Sequence, residues 1–285
     1  MIRKLSFLSA GLALVASLIL AAPEPSTATA AEIKIARDDH WLVIKAPDVP
    51  GKEIRINYLE AYCRAGSTDA DWVKHTMVGH QTETLSANDK QIKLRCKVND
   101  GLVVEHDIRA VSDGVTFDLT VTNPTDHPNE AEWAQPCIRL GDFAGGEKDD
   151  GTGPDIKLER AFIFLNGKLA TMPTPPWATQ ARYLPGQVWC PKDVPRTDVN
   201  PRPLSTLVPD NGIIGCFSRD GKWIFAAVFD PTQELFQGVA QCLHNDFRIG
   251  QVPPGQTKKI RGRIWIIPHD PARLVSLHKE WLAKP

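Results

Sequence analysis

The sequence predicts an all-β protein, a large antiparallel β-sandwich followed by a short C-terminal helix. Three observations carry that expectation. Short segments of alternating apolar and polar residues recur along the chain, and Gly, Asn, Asp or Pro clusters break them at intervals of roughly ten residues. Three such segments stand in a row with hairpin-type turns between them. Helical periodicity is confined to one stretch near the C terminus.

The row of three is Gln91–Val98, Leu102–Val111 and Val115–Thr122. Asn99-Asp100-Gly101 and Ser112-Asp113-Gly114 supply residues that tolerate positive φ at the two turns. Before it, Ile33–Ala36 and Trp41–Lys45 flank Asp38-Asp39. After it, Ala161–Leu165 ends at Asn166-Gly167, Ile213–Phe217 leads to Asp220-Gly221, and Trp223–Phe229 stops at Asp230-Pro231. A late strand spans Lys258–Ile267. Pro271–Leu282 is the helix, with Asp270 as cap, Pro271 in the first turn, and Leu274, Leu277, His278 and Trp281 on one face.

Residues 1–30 read as a secretory signal peptide. Arg3 and Lys4 precede an apolar stretch from Leu5 to Ala22, and Ala28-Thr29-Ala30 offers a small-residue cleavage site. Cleavage removes two cations and one anion, so the formal charge of −1 becomes −2. The mature product is expected to be secreted or periplasmic, with no membrane association after cleavage. Residues 31–285 then form a single sandwich domain. A proline-rich loop at about 168–210 carries Trp177, Tyr183 and Trp189, aromatics that suit a loop folded over a sheet face better than a linker.

Composition excludes several functions. With 42% hydrophobic and 24% charged residues among 285, the chain is globular rather than disordered or collagen-like. Near-neutral charge gives no reason to expect nucleic acid as a partner. Six cysteines, at 63, 96, 137, 190, 216 and 242, enter an oxidising compartment, where one or two disulfides among buried thiols are expected. No CxxC, HExxH, GxSxG or phosphate-cradling loop occurs, so neither a metal nor a cofactor is expected. The acidic Gly-rich stretch from Asp142 to Asp155 lacks the regular spacing of a calcium loop.

Two segments concentrate polar and aromatic groups. In Glu132–Leu140, alternation puts Trp133, Gln135, Cys137 and Arg139 on one side, and Pro136 argues for an edge strand or a bulge. Indole with amide and guanidinium suits a sugar, whose ring stacks on the indole while its hydroxyls take donors and acceptors. In Leu243–Arg248, His244, Asp246 and Arg248 share a face, and a histidine with a carboxylate two positions on fits a general acid and its orienting partner.

Asp113–Thr125, with its Leu119-Thr120-Val121-Thr122-Asn123-Pro124-Thr125 ending, resembles a strand and turn of the galactose-mutarotase-like supersandwich superfamily. Gln241–Asp246, Pro254-Gly255-Gln256 and the strand to Ile267 resemble that fold's closing strands, so the likeness covers about half the chain. The superfamily includes aldose epimerases, which pair a His acid with a Glu base, and sandwich domains of polysaccharide lyases and glycoside hydrolases. His244 matches the first role, and no Glu stands in an equivalent late-strand motif. The resemblance and the residues together lead to an exported protein that acts on or binds carbohydrate. His244 and Asp246 are the candidate catalytic pair. Trp133, Gln135, Arg139 and Arg248 line the ligand face, and Trp177, Arg182 and Trp189 cover it. The alternative is a non-catalytic binding or structural module of the cell envelope. Oligomeric state is left open.

Overall fold

A computed structural model describes residues 32–66, 72–145, 160–171, 188–198, 204–238 and 242–284. In chain order the strands are β1 Lys34–Asp38, β2 Trp41–Lys45, β3 Glu53–Arg64, β4 Met77–Val78, β5 His80–Ala87, β6 Gln91–Val98, β7 Val103–Val111, β8 Gly114–Thr122 and β9 Ala131–Arg139. They continue with β10 Ala161–Leu165, β11 Lys168–Thr171, β12 Ile214–Phe217, β13 Trp223–Asp230, β14 Thr232–Gly238, β15 Cys242–Arg248 and β16 Thr257–Pro268, and α1 spans Pro271–Leu282.

Two antiparallel sheets face each other. The seven-stranded sheet runs β1-β2-β3-β9-β15-β14, with β4 beside β3, and the nine-stranded sheet runs β11-β10-β12-β13-β16-β8-β7-β6-β5. The predicted row of three strands is β6–β8, and its register follows from the two turns. Because side chains alternate along a strand, one face of each sheet supplies the core. Ile56, Tyr62, Ala134, Ile138, Leu243 and Phe247 from the first sheet meet Leu94, Ile108, Phe117, Leu119, Phe225 and Phe229 from the second. The far side of the nine-stranded sheet is covered by α1, where Leu274 is buried and Trp281 meets Trp265 edge-on at 6.2 Å. Asp270 caps that helix by accepting from the Arg273 N–H at 2.9 Å.

The central core contains a polar insertion. His106 alternates inward from β7 and is buried between two tyrosines, 2.9 Å from the Tyr58 hydroxyl and 3.4 Å from that of Tyr62. Burial, with Arg37 and His80 nearby, pushes its pKa down to about 3.

The connection leading into β9 is tied to the segment that follows β15. Asn123 Nδ2 donates to the carbonyls of His127 and Val252, both at 2.9 Å, while its Oδ1 accepts from the Thr125 hydroxyl at 2.6 Å. Asn129 Oδ1 accepts from the Val252 N–H at 2.8 Å. The Asn-x-Thr phrase is thus a buried side-chain clamp, and it aligns β9 with β15.

Two expectations change. Pro136 lies in a central strand, since β9 sits between β3 and β15. The missing N–H is tolerated because β3 bulges there: Asn57 pairs with Cys137 and Ala61 with Gln135. The six cysteines are free, buried thiols where one or two disulfides were expected. They stand on separate strands or loops, with Cys96 and Cys216 facing the central core and Cys190 beside β14.

Candidate functional site

The face of the seven-stranded sheet turned away from the nine-stranded one carries polar groups where a two-layer sandwich would ordinarily meet solvent, yet these groups are buried. The strand register explains which residues meet. Asn57, Cys137, His244 and Phe236 form one row across β3, β9, β15 and β14. Cys242 stands opposite Arg139, and Arg248 opposite Trp133. Continuing the same register between them sets Gln135 across from Asp246, and Asp246 in turn pairs with Glu234 of β14.

Apolar clusters bank this polar row on both sides. Trp133 packs with Ala61 and Cys63, with Trp72 and Met77 against them. Phe236 packs with Val188, Cys190 and Val194 at the β14 end. The sequence folds this way because alternation on β9, β14 and β15 sends Ala134, Ile138, Leu235, Leu243 and Phe247 into the core and leaves the intervening residues on the other face.

His244 is gripped on all sides. Phe236 stacks on its ring with centroids 4.2 Å apart and planes within 8°. Nε2 lies 3.1 Å from the Cys242 sulfur and Nδ1 lies 3.4 Å from Asp246 Oδ1. Burial alone would lower its pKa, but the Cys137 sulfur and the Asp246 carboxylate outweigh it and carry the imidazole up to about 10. Burial pushes the Asp246 carboxyl up, against the pull of His244, and Glu60 adds to the rise. Glu60 also accepts from Gln135 Nε2 at 2.7 Å.

Among the described residues, several atoms on this face have no hydrogen-bond partner. They include Trp133 Nε1, Gln135 Oε1 and Asp246 Oδ2, each with essentially no exposure. An orphaned buried polar atom costs about 1–3 kcal/mol, so a polar partner that met these groups would be stabilising.

Of the residues expected from sequence, Gln135, His244 and Asp246 meet, and Trp133 borders them. Trp133 is fully buried, so its indole is a wall with one polar atom rather than an open stacking platform. Arg248 is committed to Gln233 at 2.6 Å and Glu132 at 3.5 Å. Arg139 lies at the other end of the row, beside Cys242. Trp189 is elsewhere. Its backbone pairs with Leu235 on the edge of β14, and its side chain belongs to the core between the sheets, so it does not cover this face. Trp177 and Arg182 lie outside the described residues. Sequence reasoning missed Glu60, Glu234 and Phe236, and it did not group Cys137 with Cys242. The available signal was the period-2 series Cys242, His244, Asp246 on one strand.

Solved structures with a similar fold include an Escherichia coli K12 protein assigned to the aldose 1-epimerases, at 11% identity and a TM-score of 0.44, covering 83% of this chain and 99% of that one. A galactose mutarotase-like protein from Lactobacillus casei is 9% identical with a TM-score of 0.39, covering 82% and 100%. A galactose mutarotase related enzyme from Lactobacillus acidophilus is 9% identical with a TM-score of 0.40, covering 84% and 97%. At such identities the likeness concerns fold alone. No protein-family model matches the chain, and no curated protein matches it by sequence.

Proposed function

We propose that this is an exported protein that binds a sugar or polysaccharide on the outer face of the seven-stranded sheet and moves a proton there through Asp246. The observation that carries the reading is the mixed set of unpartnered atoms. Trp133 Nε1 needs an acceptor, whereas Gln135 Oε1 and ionised Asp246 Oδ2 need donors. A ligand that only accepts, such as a phosphate, leaves two of them unmet and sets its charge against the carboxylate. A ligand that only donates leaves the indole unmet. Neighbouring hydroxyls do both, and a carbohydrate is the common ligand that presents several of them at fixed spacing.

The roles within the His–Asp pair reverse from those read in the sequence. A histidine acting as general acid needs a ring nitrogen within reach of the substrate, and both nitrogens of His244 already face protein atoms. Asp246 has a free oxygen, and its burial keeps the protonated form accessible near neutral pH. His244 holds the carboxyl in place.

The test is a panel of plant and algal polysaccharides with the mature protein, scored by affinity electrophoresis and by release of reducing ends or unsaturated products. Asp246→Asn should keep retardation while losing turnover by about 10²–10⁴-fold, and Gln135→Leu should weaken retardation. Retardation with no product from any glycan favours the binding module, and a panel with neither retardation nor product removes carbohydrate as the ligand. Export is checked separately: the mature chain should begin at Ala31.

A further inference from the structure

We propose that Cys137, Cys242 and His244 form a binding site for the borderline-soft d¹⁰ metal ion Zn²⁺, with Asp246 orienting the imidazole. The sulfurs of Cys137 and Cys242 and a ring nitrogen of His244 all lie within 4.8 Å of one another, and all three residues are buried. Two sulfurs each about 2.3 Å from a tetrahedral zinc stand roughly 3.8 Å apart, so a small contraction closes this triangle around an ion. Thiolate and imidazole donors together select zinc over hard cations such as calcium or magnesium.

The surroundings agree with that assignment. Metal-bound histidines usually give their other ring N–H to a carboxylate, which fixes the tautomer. His244 has this arrangement, with Nε2 toward the sulfur of Cys242 and Nδ1 toward Asp246. Phe236 stacked on the ring removes the remaining rotational freedom. Binding balances by proton release: each thiol that becomes a thiolate ligand loses one proton, an imidazolium loses its Nε2 proton, and the remaining proton stays on Nδ1, donated to Asp246. Three protein ligands leave a fourth position for water or for an oxygen of a bound ligand.

Strand register argues for a metal rather than a disulfide between the two sulfurs. Cys137 is directly opposite His244, so Cys242 is its diagonal neighbour across β9 and β15. Diagonal residues on an antiparallel pair are about 7–8 Å apart, whereas a disulfide usually needs Cα atoms about 4.4–6.8 Å apart. A bridging ion spans the difference.

The experiment needs no carbohydrate, so its outcome is independent of the glycan panel. The full exported chain is purified with thiols reduced, and zinc is counted per chain before and after dialysis. Zinc is then replaced by Co²⁺. One metal per chain is expected, with the thiolate-to-cobalt charge-transfer absorption of a tetrahedral sulfur-ligated site. X-ray absorption of the zinc form should show two sulfur neighbours. Asp246→Asn should weaken zinc binding about 10–100-fold, Cys137→Ser and Cys242→Ser should weaken it further, and Cys216→Ser in the core should leave it unchanged. A folded, reduced wild-type protein that retains no zinc overturns the proposal, as do sulfur-free coordination or a Cys137–Cys242 disulfide in the native protein. The wild-type spectra decide the matter even if a cysteine variant fails to fold.

Discussion

Stability is expected to fall as the pH drops from about 6.5 toward 4, and His106→Gln should flatten that slope. The folded-state pKa of His106 is pushed down to about 3 from an ordinary 6.5, first by burial and then by Arg37 and His80. Between those values the unfolded chain binds a proton that the folded chain does not. Stability therefore decreases as pH falls, by about 1.4 kcal/mol per pH unit, or of order 5 kcal/mol across the window. Arg37 is fixed beside the site, with its guanidinium donating to the Tyr58 carbonyl at 2.7 Å, so an imidazolium would be buried next to a cation. The lowered pKa values of His80 and His278 act in the same direction. Asp246 acts in the opposite one, because burial raises its carboxyl and the folded state then takes up a proton first. The raised pKa of His244 contributes above 6.5 rather than below it. The comparison that isolates His106 is the difference between wild type and His106→Gln in urea midpoints at several pH values. The gap should narrow as pH falls, because wild type loses what the variant never had. Parallel slopes for the two proteins would place the acid sensitivity elsewhere.

His106 also marks the boundary of what the sequence could tell. Alternation in Glu105-His106-Asp107 puts the histidine on the side opposite its charged neighbours, and the fold makes that the core side. The pattern could not supply Tyr58 and Tyr62, which arrive from a strand in the other sheet. The same division runs through the fold. β6, β7, β8, β10, β12, β13, β16 and α1 were legible because each pairs clean periodicity with a turn or cap residue at its end. β3 was not, because its bulge between Asn57 and Ala61 breaks the alternation. β14 buries Gln233, Glu234 and Gln237 and so reads as a solvated segment. β5 is an edge strand with mostly exposed residues and no apolar face. In the site, the faces of β9 and β15 were readable one strand at a time. Their juxtaposition depends on antiparallel register, and that is why Gln135 with Asp246, or Cys137 with Cys242, emerged only from the fold.

Gly114→Ala should be among the most damaging single-methyl changes in the chain, at roughly 3–5 kcal/mol. Gly114 opens β8 with φ +148°, and a Cβ there would stand 1.9 Å from the Ile264 carbonyl oxygen and 2.8 Å from its carbon. Both are backbone atoms of β16, so no rotamer change relieves the overlap. Backbone strain of about 1–3 kcal/mol and overpacking of similar size act together at this position. The two strands must separate where Gly114 pairs with Trp265, and the adjoining Asp113–Arg263 ion pair lies in the same place. Gly167→Ala is the matched control. It also has positive φ, at +74°, but nothing lies within 4 Å of the added carbon, so it should cost about 1 kcal/mol. Thermal midpoints of the two variants separate steric from conformational cost. Equal losses would mean that the β8–β16 seam yields easily, and that the closure of the nine-stranded sheet depends less on close backbone approach than its register implies. A large gap would fix that seam as the rigid support on which β13 and, through the core, β15 and its polar face are held.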